Sequence, residues 1–259
     1  MDLGIKGKHA IVCASSKGLG RACAISLAEN GVSVVINGRD QKALDATARD
    51  IESKYDVQIT PVQGDVSTPE GQRALLEACP NPDILINNNG GPPFKDFREL
   101  DREAMLAGVT MNMITPIELI QAVIDGMVER RFGRIVNITS LSVKMPIPGL
   151  DLSSGARAGL TSFLAGVAPK VAEYNVTINN VLPGFFLTDR QNAALNKAMS
   201  ERGLSLEEAI AERAESVPAK RFGDPAEFGE VCAFLCAAQA GYITAQNLLI
   251  DGGRFPGAF

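Results

Sequence analysis

The feature that most constrains the fold of this chain is the regular alternation of short apolar runs with longer helical patterns. The runs are rich in Val, Ile and Leu, and several are nearly continuous, which is typical of parallel strands covered on both faces. The seven runs begin at His9, Val32, Val57, Asp83, Gly133, Val176 and Gln246.

Helical patterns fill the intervals between these runs, over residues 18–30, 41–54, 69–78, 102–131, 152–174 and 225–238. Repeated β-α units of this length predict a doubly wound α/β sheet, parallel throughout, with right-handed crossovers and helices on both faces. No repeat or long linker divides residues 1–259, so we expect a single domain built on about seven strands.

Charge and composition exclude some classes of protein. A net charge of -5 argues against a nucleic-acid-binding face, which would have to be basic. No apolar run appears long enough to span a membrane, and the N-terminal residues lack the pattern of a secretory signal. We therefore expect a cytoplasmic protein.

The cysteines point the same way. There are 5, an odd count without a Cys-x-x-Cys pair, which favours reduced thiols. Cys232 and Cys236 are spaced i, i+4, and core packing explains them better than a metal pair. His9, at the start of the first strand, is expected to be structural, and we expect no metal site.

The segment CASSKGLG, residues 13–20, follows the first strand directly and opens a helix. Gly18 and Gly20 allow the backbone to approach a pyrophosphate, which the N–H groups and dipole of the helix N-terminus would stabilise. A strand before and a helix after are the context of a Rossmann-type dinucleotide site.

This segment resembles the T-G-x-x-x-G-x-G motif of the short-chain dehydrogenase/reductase family, with Cys13 and Ala14 in place of Thr and Gly. Ala14 should be tolerated if its φ stays negative. The resemblance continues through NNNGG (residues 87–91, similar to N-N-A-G), NNVLPGFFLTD (residues 179–189) and YITAQNLLIDGG (residues 242–253). It implies the residues that would hold the dinucleotide: Ser15, Ser16, Lys17, Gly18, Leu19, Gly20, Arg39, Asp65, Val66, Asn88, Asn89, Gly90, Arg157, Pro183, Gly184 and Thr188.

The end of the second strand indicates which dinucleotide binds. An acidic residue there would bind the ribose 2′-hydroxyl, but this strand ends in Asn37 and is followed by Gly38 and Arg39. Arg39 can fork onto a 2′-phosphate, and Lys17 can reach the same oxygens. We therefore expect NADP(H) rather than NAD(H), with Asp40 capping the next helix.

The family's catalytic pattern is broken in this chain. In the family a Tyr passes the proton, a Lys four residues later binds the nicotinamide ribose, a Ser positions the substrate, and an Asn supports a water relay. The resemblance places Ser140 and Asn112 at the Ser and Asn positions, but Ser153 and Arg157 at the Tyr and Lys positions. Arg157 keeps the charge, whereas a serine hydroxyl is too short and too weakly acidic to replace a phenol.

The proton source is therefore open. Lys144, four residues beyond Ser140, can act as an acid or base if it is removed from water, and a solvated Lys144 is the alternative. None of the 3 tyrosines falls near the cleft by sequence position. The 2,4-dienoyl-CoA reductase branch also resembles this chain in having Ser at the Tyr position, although it keeps the Lys.

Two further expectations concern the substrate and the assembly. Residues 188–218, mostly polar and helical after a strand end, are predicted to form a lid, with a solvated helical hairpin as the alternative. Pro92, Pro93, Phe94, Phe185 and Phe186 suggest an apolar or acyl-like substrate. In the family, the helices corresponding to residues 102–131 and 152–174 pair subunits, so we expect a homotetramer or homodimer.

Two functions follow. The first is an NADP(H)-dependent oxidoreductase with an atypical proton relay, acting on a carbonyl/alcohol pair (3-oxoacyl-like) or a conjugated enoyl substrate. The alternative is a non-catalytic NADP-binding sensor or inactive subunit, which would explain why the nucleotide motifs are present without the Tyr.

Overall fold

A computed structural model describes residues 1–258, except for the side chains of residues 190, 192–194, 197 and 198; residue 259, the end of the predicted domain, lies outside the described residues. The strands are β1 (His9–Val12), β2 (Ser33–Gly38), β3 (Ile59–Gln63), β4 (Ile84–Asn87), β5 (Gly133–Ile138), β6 (Val176–Pro183) and β7 (Asn247–Ile250). They form one 7-stranded sheet in the order β3-β2-β1-β4-β5-β6-β7, and every pairing is parallel. The predicted fold class is confirmed.

The helices are α1 (Gly18–Glu29), α2 (Gln41–Glu52), α3 (Pro69–Ala78), α4 (Arg102–Val109), α5 (Thr115–Glu129), α6 (Asp151–Val167), α7 (Asp189–Arg202), α8 (Leu206–Ala214) and α9 (Pro225–Cys236). One buried cluster packs α1, α2 and α9 against the sheet, and a second packs α3, α5 and α6 against it. Adjacent strand residues enter different clusters: Val12 belongs to the first and Ile11 to the second. Both faces are therefore covered, as the nearly continuous apolar runs require.

Two predicted helices differ from the structure. The pattern over residues 102–131 is divided by a π-helical turn, Thr110–Ile114, between α4 and α5. The pattern over residues 152–174 ends as an α-helix at Val167 and continues as two short 3-10 turns, Ala168–Lys170 and Ala172–Tyr174. Both patterns kept a helical apolar period, which does not distinguish an α turn from a tighter or wider one.

One helical segment bears on the expectation about membrane-spanning length. Among the described residues, Arg102–Glu129 is long and apolar enough to span a membrane by length and composition, with a mean hydropathy of 1.3 in its best window. No uninterrupted apolar run marks it, because polar and charged residues such as Asn112, Glu118 and Asp125 lie within it. Core helices of globular proteins pass the same test, and α5 buries Leu119, Ile120, Val123 and Met127.

The cysteines pack as predicted. Cys232 and Cys236 are fully buried in the first cluster, together with Cys23 of α1. All 5 cysteines are unpaired and buried. His9 begins β1, with its ring exposed and Nδ1 4.0 Å from an oxygen of Asp83.

Candidate active site

The order of strands along the sheet reverses between β1 and β4, so the loops after these strands diverge and leave a crevice. The loop after β1 leads into α1, with Lys17 at its N-cap and Gly18 at a φ of 57°. Gly20 lies against the loop: a Cβ there would be 2.4 Å from the Ala14 carbonyl oxygen. The glycine is therefore required for the chain to turn this closely into the helix.

The expectation that Ala14 would keep a negative φ was wrong. Its φ is 44°, in the left-handed region that favours glycine, so the methyl group is accommodated at some cost in strain. Two contacts secure the turn, because Ala14 N–H donates to Asn37 Oδ1 (3.2 Å) and Asn88 Nδ2 donates to the Ala14 carbonyl (3.1 Å). Burial raises the pKa of the neighbouring Cys13 thiol to about 12, which leaves this thiol protonated.

Asn37 organises this end of the sheet, and the sequence did not mark it as a site residue. Its Oδ1 accepts from Ala14 N–H, and its Nδ2 donates to the Val62 and Gly64 carbonyls at 3.2 and 3.1 Å. The side chain thus ties the loops after β1 and β3 to β2. A polar residue at the end of a buried strand was the available signal.

The ends of β1 to β4 border a cleft of about 930 Å³, which includes space open to solvent. Predicted residues that line it are Ser16, Lys17, Arg39, Asp65, Val66, Asn89 and Gly90; Ala14, Asn37, Gly38, Asp40 and Gly64 line it as well. Asp40 accepts hydrogen bonds from Lys42 N–H and Ala43 N–H and caps α2, as predicted. Its carboxylate is therefore committed to the helix, while Arg39 and Lys17 remain exposed at the cleft.

Not every predicted residue presents its side chain to this cleft. Ser15 is fully buried; its hydroxyl donates to the Val12 carbonyl and accepts from Asn37 N–H. Leu19 packs against the first core cluster. These two residues shape the loop rather than line the cleft.

Pro183, Gly184 and Thr188 lie at the end of β6 and the start of α7. A Cβ at Gly184 would be 2.7 Å from Asp251, so glycine is required where the loops after β6 and β7 meet. The Thr188 methyl lies 3.6 Å from the Cβ position of Gly18, and Lys17 Nζ lies 4.0 Å from a carboxylate oxygen of Asp189. The start of α7 therefore packs over the loop between β1 and α1, which we call the glycine loop (residues 13–20).

Asn112 lies in the π-helical turn, and its Nδ2 donates to the Gly108 carbonyl at 3.3 Å. A small cavity below the cleft is lined by Asn88, Asn89, Asn112 and Arg157, among others. Asn87 Oδ1, Asn112 Oδ1 and Thr115 Oγ1, on residues that border this cavity, are buried without a hydrogen-bond partner among the described residues. Polar atoms of this kind suit a site that holds ordered water.

A ladder of asparagine amides crosses four strands and ends at the same cavity. Asn180 donates to Asn247 (2.8 Å), Asn137 donates to Asn180 (3.1 Å), and Asn87 donates to Asn137 (2.9 Å), so all three amides point the same way. The four residues are paired in register on β4 to β7. The ladder cannot be predicted from the order of residues, because strand register is set by packing.

Ser153 and Arg157 lie one turn apart on α6 and face inward, with exposed fractions of 3% and 8%. Arg157 Nε donates to Ser153 Oγ at 3.2 Å, and Nη1 donates to the Ile138 carbonyl at 2.7 Å. The guanidinium group therefore joins α6 to the end of β5, next to the small cavity.

Ser140 follows β5, and its hydroxyl accepts from Ser142 N–H at 3.0 Å. Lys144 ends the short 3-10 turn that follows; it is half-buried, and its Nζ lies 5.6 Å from the centre of the Phe255 ring. Its ammonium group thus lies against an aromatic ring of the C-terminal segment. This position is intermediate between the buried and the solvated Lys144 considered from the sequence.

The tyrosines lie elsewhere, as sequence position indicates. Tyr55 packs beside the first core cluster, Tyr174 lies under Arg131 at the start of β6, and Tyr242 is fully exposed. Phe186 corrects one substrate expectation: it is 4% exposed and packs edge-on against Phe228 in the core, so it does not border an entrance.

Comparison with known proteins agrees with this geometry. A family model described as enoyl-(acyl carrier protein) reductase matches residues 13–254. The chain is 30% identical to the NADPH-dependent reductase BacG of Bacillus subtilis, covering 95% of this chain and 97% of that protein. It is 34% identical to the 3-oxoacyl-[acyl-carrier-protein] reductase FabG of Aquifex aeolicus, covering 98% and 100%.

Among solved structures, L-sorbose reductase from Gluconobacter frateurii, complexed with NADPH and L-sorbose, superposes with a TM-score of 0.95 at 29% identity, covering 99% of this chain and 100% of that one. The parallel sheet, the glycine loop at the switch point and these matches over nearly the whole length lead to one conclusion. The chain belongs to the short-chain dehydrogenase/reductase family.

Proposed function

We propose that this protein is an NADP(H)-dependent short-chain oxidoreductase that acts on a carbonyl/alcohol pair or a conjugated enoyl group through an atypical proton relay. One observation carries the cofactor assignment. Arg39 and Lys17 border the cleft, while the nearest carboxylate after β2, Asp40, is bound to the N-terminus of α2. A 2′-phosphate would meet two cations there rather than an acidic side chain.

The residues present fit a dinucleotide. The close approach at Gly20 leaves no room for a side chain between the loop and α1, so that backbone N–H groups and the helix dipole face the cleft. Asp65, Val66, Asn89 and Gly90 line the cleft on its far side and would hold the adenine half. When bound, NADP(H) supplies or accepts the hydride. The names of the relatives above, which include NADPH-dependent enzymes, support the assignment.

Arg157 is proposed to hold the nicotinamide ribose with its guanidinium group. Its contacts with Ile138 and Ser153 fix the charge at the edge of the small cavity, where the family's Lys would bring a charge of the same sign. Ser153 is proposed as a positioning residue for Arg157, because its hydroxyl is buried and accepts from Nε.

The proton is proposed to pass through Lys144, with Ser140 positioning the substrate oxygen. Both residues follow β5 at the carboxyl end of the sheet, the end at which the cleft lies, and the half-buried Lys144 is held against Phe255. Asn112 and the small cavity would hold the water that exchanges protons with solvent. This arrangement would replace the missing phenol with an ammonium group in the same loop cluster.

The lid and the assembly remain proposals as well. Helices α7 and α8 span most of residues 188–218, and the contact between Thr188 and the glycine loop supports a lid that closes over the cofactor. Exposed apolar side chains on α4 to α6, such as Leu106 (57% exposed) and Phe163 (46%), support pairing of subunits through these helices.

Titration of the protein with NADPH and NADH by fluorescence or calorimetry tests the cofactor assignment. We expect NADPH to bind at least ten-fold more tightly, and Arg39→Gln to weaken NADPH by about 10- to 100-fold while leaving NADH unchanged. Lys42→Gln, a change at an exposed residue on the first turn of α2, is the matched control. Failure of the parent to bind either nucleotide would refute both the enzyme and the sensor.

Absorbance at 340 nm, with carbonyl and enoyl substrates, tests the relay. Lys144→Ala should lower kcat by about 10²- to 10⁴-fold without weakening NADPH, whereas Lys170→Ala, a change at an exposed residue beyond α6, should not. Full activity of Lys144→Ala would exclude this proton source. A parent that binds NADPH but reduces none of the substrates would instead favour the non-catalytic NADP-binding protein.

A further inference from the structure

Two arginines near the ends of β6 and β7 have buried nitrogens without an acceptor among the described residues. Arg213 lies on α8 and Arg254 follows β7; Arg213 Nε and Arg254 Nη1 are buried and have no hydrogen-bond partner among the described residues. Both guanidinium groups lie over the ring of Phe185, with Cζ at 4.6 and 3.9 Å from its centre. Three separate segments of the chain therefore converge to hold two like charges together.

This arrangement is costly for the protein alone. Burial lowers the pKa of both guanidinium groups, and the Arg213 charge lowers the pKa of Arg254 further. Neither group forms an ion pair with another described residue, although buried guanidinium N–H groups ordinarily find acceptors. Stacking on Phe185 offsets part of the cost and fixes the orientation of both groups.

Asp251 compensates only part of the charge of the pair, because it raises the pKa of Arg254 less than burial lowers it. The Asp251 carboxylate is committed to its own turn, because its oxygens accept from Gly253 N–H at 2.9 Å and Phe255 N–H at 2.7 Å. On the other side of this turn, Lys144 Nζ lies over the Phe255 ring. The two arginines thus have a partly compensating carboxylate that is already hydrogen-bonded within its own turn.

The position of the cluster relates it to the reacting group. Phe185 follows β6 and Arg254 follows β7, and these strands lie next to β5, which Ser140 follows. Neighbouring strands are roughly 4.8 Å apart, so β7 lies about 10 Å from β5. The segments that follow them also meet, because Lys144 Nζ lies over the ring of Phe255, the residue after Arg254. A small substrate whose oxygen contacts Ser140 can therefore reach the arginines with its other end.

We propose that Arg213 and Arg254 bind an anionic oxygen group of the substrate, a carboxylate or a phosphate ester, several bonds from the carbonyl or enoyl group that is reduced. The inference rests on the proposed oxidoreductase function and narrows its substrate to anionic ketones or enones. Guanidinium groups suit this role because their N–H groups match carboxylate and phosphate oxygens in pairs. The proposal adds an anionic group to the apolar substrate that Phe185 led us to expect.

Matched substrates separate charge from shape and carboxylate from phosphate. We would compare 6-oxoheptanoate with its methyl ester, and dihydroxyacetone phosphate with dihydroxyacetone, in the NADPH assay at 340 nm. The variants are Arg213→Gln and Arg254→Gln. The control is Arg221→Gln, which removes an exposed arginine of the same region that is paired with Glu227 at 2.7 Å.

We expect at least one anionic substrate to exceed its neutral partner about ten-fold in kcat/KM. Each Gln variant should lower kcat/KM for that anion by about 10- to 100-fold and for the neutral partner by less than about two-fold. Arg221→Gln should change neither. The arm that responds identifies carboxylate or phosphate; equal rates within both pairs in the parent, or an equal loss for anion and neutral partner in the variants, would overturn the proposal.

Calorimetry provides a readout that does not depend on turnover. 6-Oxoheptanoate or inorganic phosphate should bind the parent loaded with NADP⁺, which has no hydride to donate, at least ten-fold more tightly than either Gln variant. Binding that is absent in the parent, or equal in the parent and the variants, would refute the arginine site. If the parent fails to bind NADPH, the proposed function is lost, but titration of the protein with these anions still decides whether the arginines form an anion site.

Discussion

Arg157→Lys tests most directly how α6 is held against the end of β5. The arginine reaches two acceptors at once, the Ser153 hydroxyl through Nε at 3.2 Å and the Ile138 carbonyl through Nη1 at 2.7 Å. A lysine keeps the charge but ends in a single ammonium group one atom earlier along the chain. It can serve one of these acceptors and leaves the other unpaired at a site that is 8% exposed.

A hydrogen bond to a charged group contributes about 1.5–3 kcal/mol to stability, and loss of one contact should cost the same amount. The residue is buried, so solvent screening does not reduce this figure. For a chain of this size, the change corresponds to a decrease in Tm of about 3–12 °C.

Urea denaturation followed by circular dichroism, at one fixed protein concentration, measures the free energy of unfolding of the parent and the variant. Arg73→Lys is the matched control, because Arg73 is 67% exposed and pairs loosely with Glu77 at 3.8 Å. That change should stay within about 0.5 kcal/mol. If Arg157→Lys is equally neutral, the two contacts do not anchor α6 to β5, and the reasoning is wrong.

Three further outcomes are expected. Gly20→Ala places a methyl group 2.4 Å from the Ala14 carbonyl oxygen and should weaken NADPH by at least about ten-fold, whereas Gly166→Ala, with no atom within 4 Å of the new Cβ, should be neutral or slightly stabilising. Asn137→Ala leaves its buried amide partners unpaired and should cost about 2–4 kcal/mol in urea denaturation, against less than about 1 kcal/mol for Asn247→Ala at the exposed end of the ladder. The Arg221 side chain and the Asp224 N–H lower the pKa of Glu227 from 4.5 to about 2. Glu227→Gln should therefore reduce stability by less than about 1 kcal/mol at pH 7, and most of the difference should be lost as the pH falls from 4.5 to 2. A difference as large at pH 2 as at pH 7 would contradict the ionised carboxylate as its cause.

The pairing of Ser153 with Arg157 sharpens the question of the proton. The two side chains are coupled, because the Ser153 hydroxyl accepts from Arg157 Nε, one turn further along the helix. Replacing either residue alone would therefore break a buried contact as well as change the chemistry. Tests of the relay are cleaner at Lys144, whose ammonium group lies over the Phe255 ring and is not part of the contact between Ser153 and Arg157.

The fold class and much of the candidate cofactor site could be predicted from the order of residues alone. Parallel strands covered on both faces need long apolar runs, and a glycine loop between a strand and a helix is a local feature, so both are written in consecutive residues. The cap formed by Asp40 and the basic border made by Lys17 and Arg39 depend on neighbours only a few residues away, and their placement agrees with the sequence.

The contacts that join distant segments could not be predicted in this way and are known only from the tertiary structure. The turn with the positive φ of Ala14 is held by Asn37, on β2, and by Asn88, directly after β4. The asparagine ladder depends on strand register, and the pair of Arg213 and Arg254 depends on α8 and the segment after β7 meeting at Phe185. These arrangements are set by packing between elements far apart in the chain, and packing of that kind leaves no periodic signal in the sequence.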